Sequence, residues 1–184
     1  MSTSRTAVVV LVFAVLAAAQ PVAGKEPVVK GDRLVFALPD LDGNNVESAD
    51  DVFAGRVLLV TLWGTWCPPC VSEIPTLNDL QRRFAAAGLT VVAIAFEKTQ
   101  PAAERRGHLQ KFVQQHEIEY LVLDGGDVSE FAQALPMLDD VKGLPIEIVI
   151  DRAGVVVDCR NGYGYNKSWA RKLENRLKDL LAVE

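Results

Sequence analysis

Cysteine is scarce in this chain, with three residues in 184. That is too few for the disulfide framework of a small secreted scaffold. None is needed, since a body of this size buries roughly two-thirds of its unfolded surface. Histidine is scarcer still, and His108 and His116 lie eight residues apart with no second cysteine pair to complete a zinc site. Basic charge is in the minority, 19 residues against 24 acidic, for a net charge of -5. That balance argues against a polyanion-binding surface and gives no support to a nucleic-acid partner. Repeats and low-complexity stretches are absent, and the modest charge with abundant aliphatics excludes a disordered chain.

What is present is unevenly spread. Residues 1–24 hold 16 apolar residues, including the uninterrupted run Ala7 to Ala19. Arg5 and the amino terminus form a short positive region before that run, and small residues follow it, which is the layout of a secretory signal. Cleavage fits after Ala19 or after Gly24. The alternative is an uncleaved anchor: the apolar run of 13 falls short, but residues 6–24 are all uncharged and just reach the roughly 20 residues of a spanning helix. No cysteine follows closely enough for a lipid anchor. The expected organisation is a leader over residues 1–24 and one domain over 25–184. The expected location is the periplasm or another exported compartment, where thiols tend to oxidise.

The body reads as α/β. Leu34 to Glu47 forms an expected hairpin around Asp42-Gly43-Asn44-Asn45. Val57 to Trp63 is a dense apolar run, the pattern of a buried central strand. Val71, Ile74, Leu77, Leu80 and Phe84 recur at helical spacing, and Gly88 ends that helix. A second buried strand spans Leu89 to Phe96, followed by a polar-faced helix over 102–116, a short strand from Tyr120 to Leu123 and a short helix from Val128 to Leu135. Ile146 to Ile150 and Val155 to Cys159 flank Asp151-Arg152-Ala153-Gly154 as a hairpin, and Asn161 to Tyr165, with Tyr163 and Tyr165, reads as a loop. A closing helix aligns Trp169, Leu173, Leu177, Leu180 and Leu181. Alternating strands and helices ending in a hairpin imply a mixed central sheet flanked by helices on both faces.

The chemistry concentrates in Trp66-Cys67-Pro68-Pro69-Cys70, between a buried strand and the helix it opens. Unpaired amides and the helix dipole favour negative charge there, so the first sulfur becomes a better thiolate. The second sulfur, one turn on, is placed to attack a mixed disulfide formed at the first. Cys67, at the helix end and the more exposed, is the expected nucleophile, with Cys70 as the resolving thiol. Pro68 and Pro69 fall in the first turn, where their missing N–H groups would be unpaired in any case. A purely structural disulfide across so short a loop would restrain little chain entropy.

Leu58 to Pro75, LLVTLWGTWCPPCVSEIP, resembles the TlpA/ResA-like exported thiol–disulfide oxidoreductases of thioredoxin fold. The upstream hairpin segment and Gly143-Leu144-Pro145 before a strand extend the likeness over most of residues 34–160. The resemblance implies a thioredoxin-like fold, a cis Pro145 beside the cysteines, and substrate contacts from the loop holding Leu144 and Pro145. It also implies that Trp66, with Pro68 and Pro69, shapes the docking surface, and that Glu73 governs cysteine ionisation. The implied activity is reduction of disulfides in exported proteins such as apocytochrome c. Re-reduction would come from a membrane electron-donor protein. No cofactor or metal is expected beyond the redox-active Cys67–Cys70 disulfide.

Several readings stay open. Glu73 is either a desolvated proton acceptor one turn past Cys70 or a surface glutamate that suits the helix dipole. Thr61 stands where many thioredoxins bury an aspartate, so any general base lies elsewhere. Glu147, two residues past Pro145, is either an exposed strand position or a second acid near the cysteines. Pro75 is expected to kink its helix. Cys159 is expected as a buried small hydrophobe, the alternative being an intermolecular or regulatory thiol. The two histidines are expected to face solvent, Trp63 to be core and Trp66 rim. The rival functions are a disulfide oxidase, a peroxiredoxin-like peroxidase and a non-catalytic binding module. Peroxiredoxins want a hydroxyl residue three positions before their cysteine and a proline seven before, where this chain has Gly64 and Val60.

Overall fold

The computed structural model describes residues 30–98, 101–131, 135, 143–161 and 167–182. The expected leader and the loop with Tyr163 and Tyr165 lie outside the described residues. Two short strands, β1 (Ala37–Pro39) and β2 (Asn45–Glu47), pair antiparallel. Their connection is held by Asp40, whose carboxylate accepts from the backbone N–H of Asp42 and Asn44 at 2.9 and 2.8 Å. The hairpin is shorter than the sequence suggests, because Leu34 and Phe36 run into the core without a strand partner.

A five-stranded mixed sheet follows, in the order β5-β4-β3-β6-β7. Its strands are β3 (Val57–Trp63), β4 (Leu89–Glu97), β5 (Leu121–Asp127), β6 (Ile146–Ile150) and β7 (Val156–Asn161). β3, β4 and β5 are parallel, whereas β6 runs antiparallel to β3 and β7 to β6. Every residue of β3 is buried, as its continuous apolar run requires of a strand covered on both faces.

Among the described residues, three longer helices accompany the sheet: α1 (Pro68–Phe84), α2 (Ala102–Gln115) and α3 (Lys167–Leu181). Alternation along the strands divides the core between the two faces. Leu59 and Val149 meet Leu77 and Leu80 of α1 and Leu173 and Leu177 of α3 on one face, and Trp63 and Ala95 meet Leu109 of α2 farther along it. Leu58, Leu62 and Ile148 meet Leu34, Phe36, Phe53 and Leu135 on the opposite face. Both faces are therefore covered, but unequally: the long helices share one, and the N-terminal segment and short turns cover the other.

Three element limits differ from the sequence reading. α1 stops at Phe84, and a 3-10 turn over Ala85–Ala87 leads to Gly88, whose φ of +103° closes the end in the left-handed region. β5 runs on to Asp127 because Asp124 is held from within and Gly125 passes Phe96 so closely that a Cβ there would lie 2.8 Å from its ring. The short helix expected from Val128 to Leu135 opens as a 3-10 turn at Val128–Glu130, capped by Asp127. Phe131 is helical and its carbonyl accepts from the Leu135 N–H at 2.9 Å, and residues 132–134 lie outside the described residues. Pro75 lies inside α1, which continues through it.

Candidate active site

Cys67 and Cys70 are joined as a disulfide where β3 hands over to α1. Cys67 is the N-cap, and its Sγ accepts from the backbone N–H of Cys70 at 3.3 Å. Pro68 and Pro69 carry no N–H, so this one amide and the helix dipole are what favour a thiolate at Cys67 after reduction. Pro68 and Pro69 are exposed in that turn. The expected contrast in exposure does not hold, since Cys67 is 5% and Cys70 3% exposed. Both sit in an apolar cluster with Trp63 and Ile74, against which Leu144 packs, so cap position rather than exposure distinguishes the two sulfurs. The Leu144–Pro145 peptide is cis, Pro145 is buried, and Leu144 is half-buried.

The approach to Cys67 is fastened by contacts that the sequence reading did not anticipate. Glu97, buried at the end of β4, accepts from the Thr65 N–H at 2.7 Å and from the Thr65 hydroxyl at 2.8 Å. The same hydroxyl lies 3.0 Å from Nε2 of His108, which is otherwise exposed as expected. Trp66 donates from Nε1 to the Phe96 carbonyl at 2.9 Å, and the Lys98 ammonium sits 5.1 Å from its ring centre. Trp66 is thus a fixed, partly exposed rim beside the disulfide, while Trp63 is core. Gly64 is required here, because a Cβ would stand 2.7 Å from the Phe96 carbonyl.

Beneath the cysteines lies a pair of acids. Glu73 is 1% exposed and Glu147 2%, so neither the surface reading of Glu73 nor the exposed-strand reading of Glu147 applies. Apart from each other, their four carboxylate oxygens have no hydrogen-bond partner. Burial first, then the like charge of Glu147, pushes the Glu73 pKa from the ordinary 4.5 up to about 9. Burial likewise raises Glu147, while hydrogen bonding with Glu73, and then Arg160 of β7 with Nη1 3.6 Å from Glu147 Oε2, favour its charged form. The proton of the pair is thus favoured on Glu73 and the charge on Glu147. Tyr120 borders the same pocket: burial, and then the charge of Glu73, holds its phenol above the usual range. Glu147 is the register partner of Thr61 across β3 and β6, so the acid missing at Thr61 is supplied from the next strand.

Cys159 is a free thiol on β7, half-buried rather than fully buried, and its pKa is raised by burial and then by Asp158 and Glu147. Among the described residues, no group of three or more His, Cys, Asp or Glu side chains could hold a metal ion.

Comparison with known proteins agrees with this geometry. The family model described as Redoxin matches residues 22–177. The thiol–disulfide oxidoreductase ResA of Bacillus subtilis (strain 168) is 29% identical over 141 residues, covering 76% of this chain and 72% of that one. The ResA of Bacillus thuringiensis subsp. konkukian (strain 97-27) is 29% identical over 147 residues, 79% of this chain and 74% of its own. A crystal structure from Chlorobium tepidum, described as a thiol:disulfide interchange protein DsbE, superposes with a TM-score of 0.68 at 30% identity, covering 84% of this chain and 99% of that one. The central sheet, helices and N-terminal hairpin are those of a thioredoxin-like fold.

Proposed function

The chain belongs to the redoxin family and is a thiol–disulfide oxidoreductase, and from that premise we propose that it is an exported reductase of protein disulfides. The observation that carries the reading is the Cys67–Cys70 pair capping α1 above a buried, protonated Glu73. In this reading the reduced pair works in two steps. The Cys67 thiolate attacks a substrate disulfide, one substrate sulfur leaves as a thiolate, and a mixed disulfide forms. Cys70 then gives up its proton and attacks the Cys67 sulfur, which releases the second substrate thiolate and closes the disulfide. Two electrons pass to the substrate, and the pair itself is the only redox group.

The Trp66 indole and the exposed Pro68 and Pro69 offer a rim on which an unfolded or extended chain can lie, with the Leu144–Pro145 loop opposite. The substrates proposed are cysteine proteins outside the cytosol, such as apocytochrome c. The periplasmic or otherwise exported location rests on the leader pattern of residues 1–24, cleaved or kept as an anchor. Among the described residues no helix is long and apolar enough to cross a membrane. A dithiol kept reduced in an oxidising compartment needs a donor, and a membrane electron-donor protein fits that need.

Insulin reduction tests the activity. The wild type is expected to outpace free dithiothreitol and Cys67→Ser to abolish the gain, whereas a wild type no faster than dithiothreitol points to a non-catalytic binding module. A Cys70→Ser trap expressed with its leader is expected to hold its substrate through Cys67. No mixed disulfide through Cys67 overturns the assignment of nucleophile.

A further inference from the structure

Glu73 already holds a proton at neutral pH, so it can take one from Cys70 only by handing its own onward. The receiving group must lie within the protein, because both Glu73 oxygens are sealed from solvent. Glu147 is the carboxylate facing it, on β6, and it has a second neighbour that Glu73 lacks. With Val149, Asp158, Arg160, Trp169 and Lys172 it lines a cavity of about 580 Å³ between β6, β7 and α3. None of the described lining residues comes from the loop or helix that carries the cysteines. At rest the Glu147 oxygens are as sealed as those of Glu73, and the Arg160 guanidinium beside them lines the same space, so the way from Glu147 to the cavity runs past Arg160.

We propose that Glu147 is the proton outlet of this site, a positioning residue that accepts the proton Glu73 must release and passes it to the cavity under α3. The inference rests on the dithiol reading and goes beyond it. During resolution the Cys70 S–H bond breaks and its proton enters the acid pair. The Cys70 sulfur bonds to the Cys67 sulfur as the Cys67–substrate bond breaks, and the substrate leaves as a thiolate. The pair then carries one proton more than at rest, and Glu147 returns it to solvent. The departing thiolate takes one up, so the balance closes.

The surroundings of Glu147 suit that task. Glu73 faces it from α1, and uncharged Thr61 from β3. On β7, Arg160 lies 3.6 Å away, and Asp158 and Cys159 immediately precede it in sequence. From α3, Lys172 borders the cavity, and the buried Tyr120 phenol lies within electrostatic reach of Glu73. Arg160 favours the charged form of Glu147, and at 3.6 Å it does not lock the carboxylate in a close hydrogen-bonded pair.

Stopped-flow reaction of the reduced full chain with Ellman's reagent separates the steps, since attack by Cys67 releases one coloured thiolate and resolution by Cys70 the second. Glu147→Gln is expected to leave the first release within about twofold and to slow the second by at least ~10-fold at neutral pH, the scale of a lost acid–base partner. Arg160→Met is expected to slow the second release at neutral pH and to restore it at higher pH, once Glu147 ionises without its cation. Thermal melts establish that each variant folds, and if Glu147→Gln does not, Arg160→Met decides alone. A second release of wild-type rate and pH profile in the folded variants overturns the outlet. A wild type that gives no first release through Cys67 removes the dithiol reading as well, so the two failures are told apart.

Discussion

Asp124 and the Glu73–Glu147 pair are buried to the same degree, at 1–2% exposure, yet the fold treats them in opposite ways. Asp124 on β5 accepts from Nε of Arg105 at 2.5 Å and from the Gly126 N–H at 3.1 Å, with Arg106 3.8 Å away. The two glutamates have only each other for hydrogen bonding, and the nearest cation, Arg160, stands 3.6 Å from Glu147. A buried carboxylate normally needs its partners, because desolvation without compensation costs several kcal/mol. The Asp124 site meets that requirement through Oδ1, while Oδ2 has the Arg106 charge at 3.8 Å but no hydrogen bond, and its role is to tie α2 to the end of β5. The glutamate site meets it only by holding on to a proton, which is useless for cohesion and useful for proton transfer.

Breaking the paired site should have the larger effect on stability. Asp124→Ala leaves the Arg105 guanidinium, which is 9% exposed, facing an emptied pocket. The expected loss is about 3–5 kcal/mol in urea denaturation, the range for a buried pair with one partner removed. The pH profile of thiol exchange is expected to stay as in the wild type. A loss under ~1 kcal/mol would put Asp124 among weak surface pairs and dissolve the contrast.

The glutamate site should show its effect in pH dependence instead. An unfolded Glu73 titrates near 4.5 and the folded one near 9, so between those values the folded state binds the extra proton. Its favourable contribution is complete below pH 4.5 and is lost as pH rises toward 9. One such proton gives a slope of up to about 1.4 kcal/mol per pH unit. Glu73→Gln in the oxidised protein is expected to flatten that slope and to exceed wild-type stability at the alkaline end. Melts that fall equally steeply in both proteins would show that Glu73 ionises normally.

The sequence disclosed what local pattern controls and hid what distant pairing controls. The buried run Val57–Trp63 and the helix opened by Cys67 stand where apolar periodicity and the two prolines put them. The pairings that finish the site join residues far apart in the chain: Glu97 with Thr65, Arg160 with Glu147, and Thr65 with His108. Composition and spacing carry no signal for such contacts. Glu147 shows the limit most clearly. An acid inside an apolar strand reads as exposed unless both neighbouring strands and the helix above it are known, and here β3, β7 and α1 all enclose it. The one available hint was Thr61, whose lack of a titratable group left a base to be found elsewhere.

The cap position of Cys67 is the claim on which the rest depends, and the alkylation rate of each thiol in the reduced protein against pH tests it most directly. The account predicts that Cys67 reacts with an apparent pKa below the ~8.5 of a free cysteine, with Cys70 titrating above it. A Cys67 that titrates at or above ~8.5, or a Cys70 that proves the more reactive thiol at neutral pH, would contradict it.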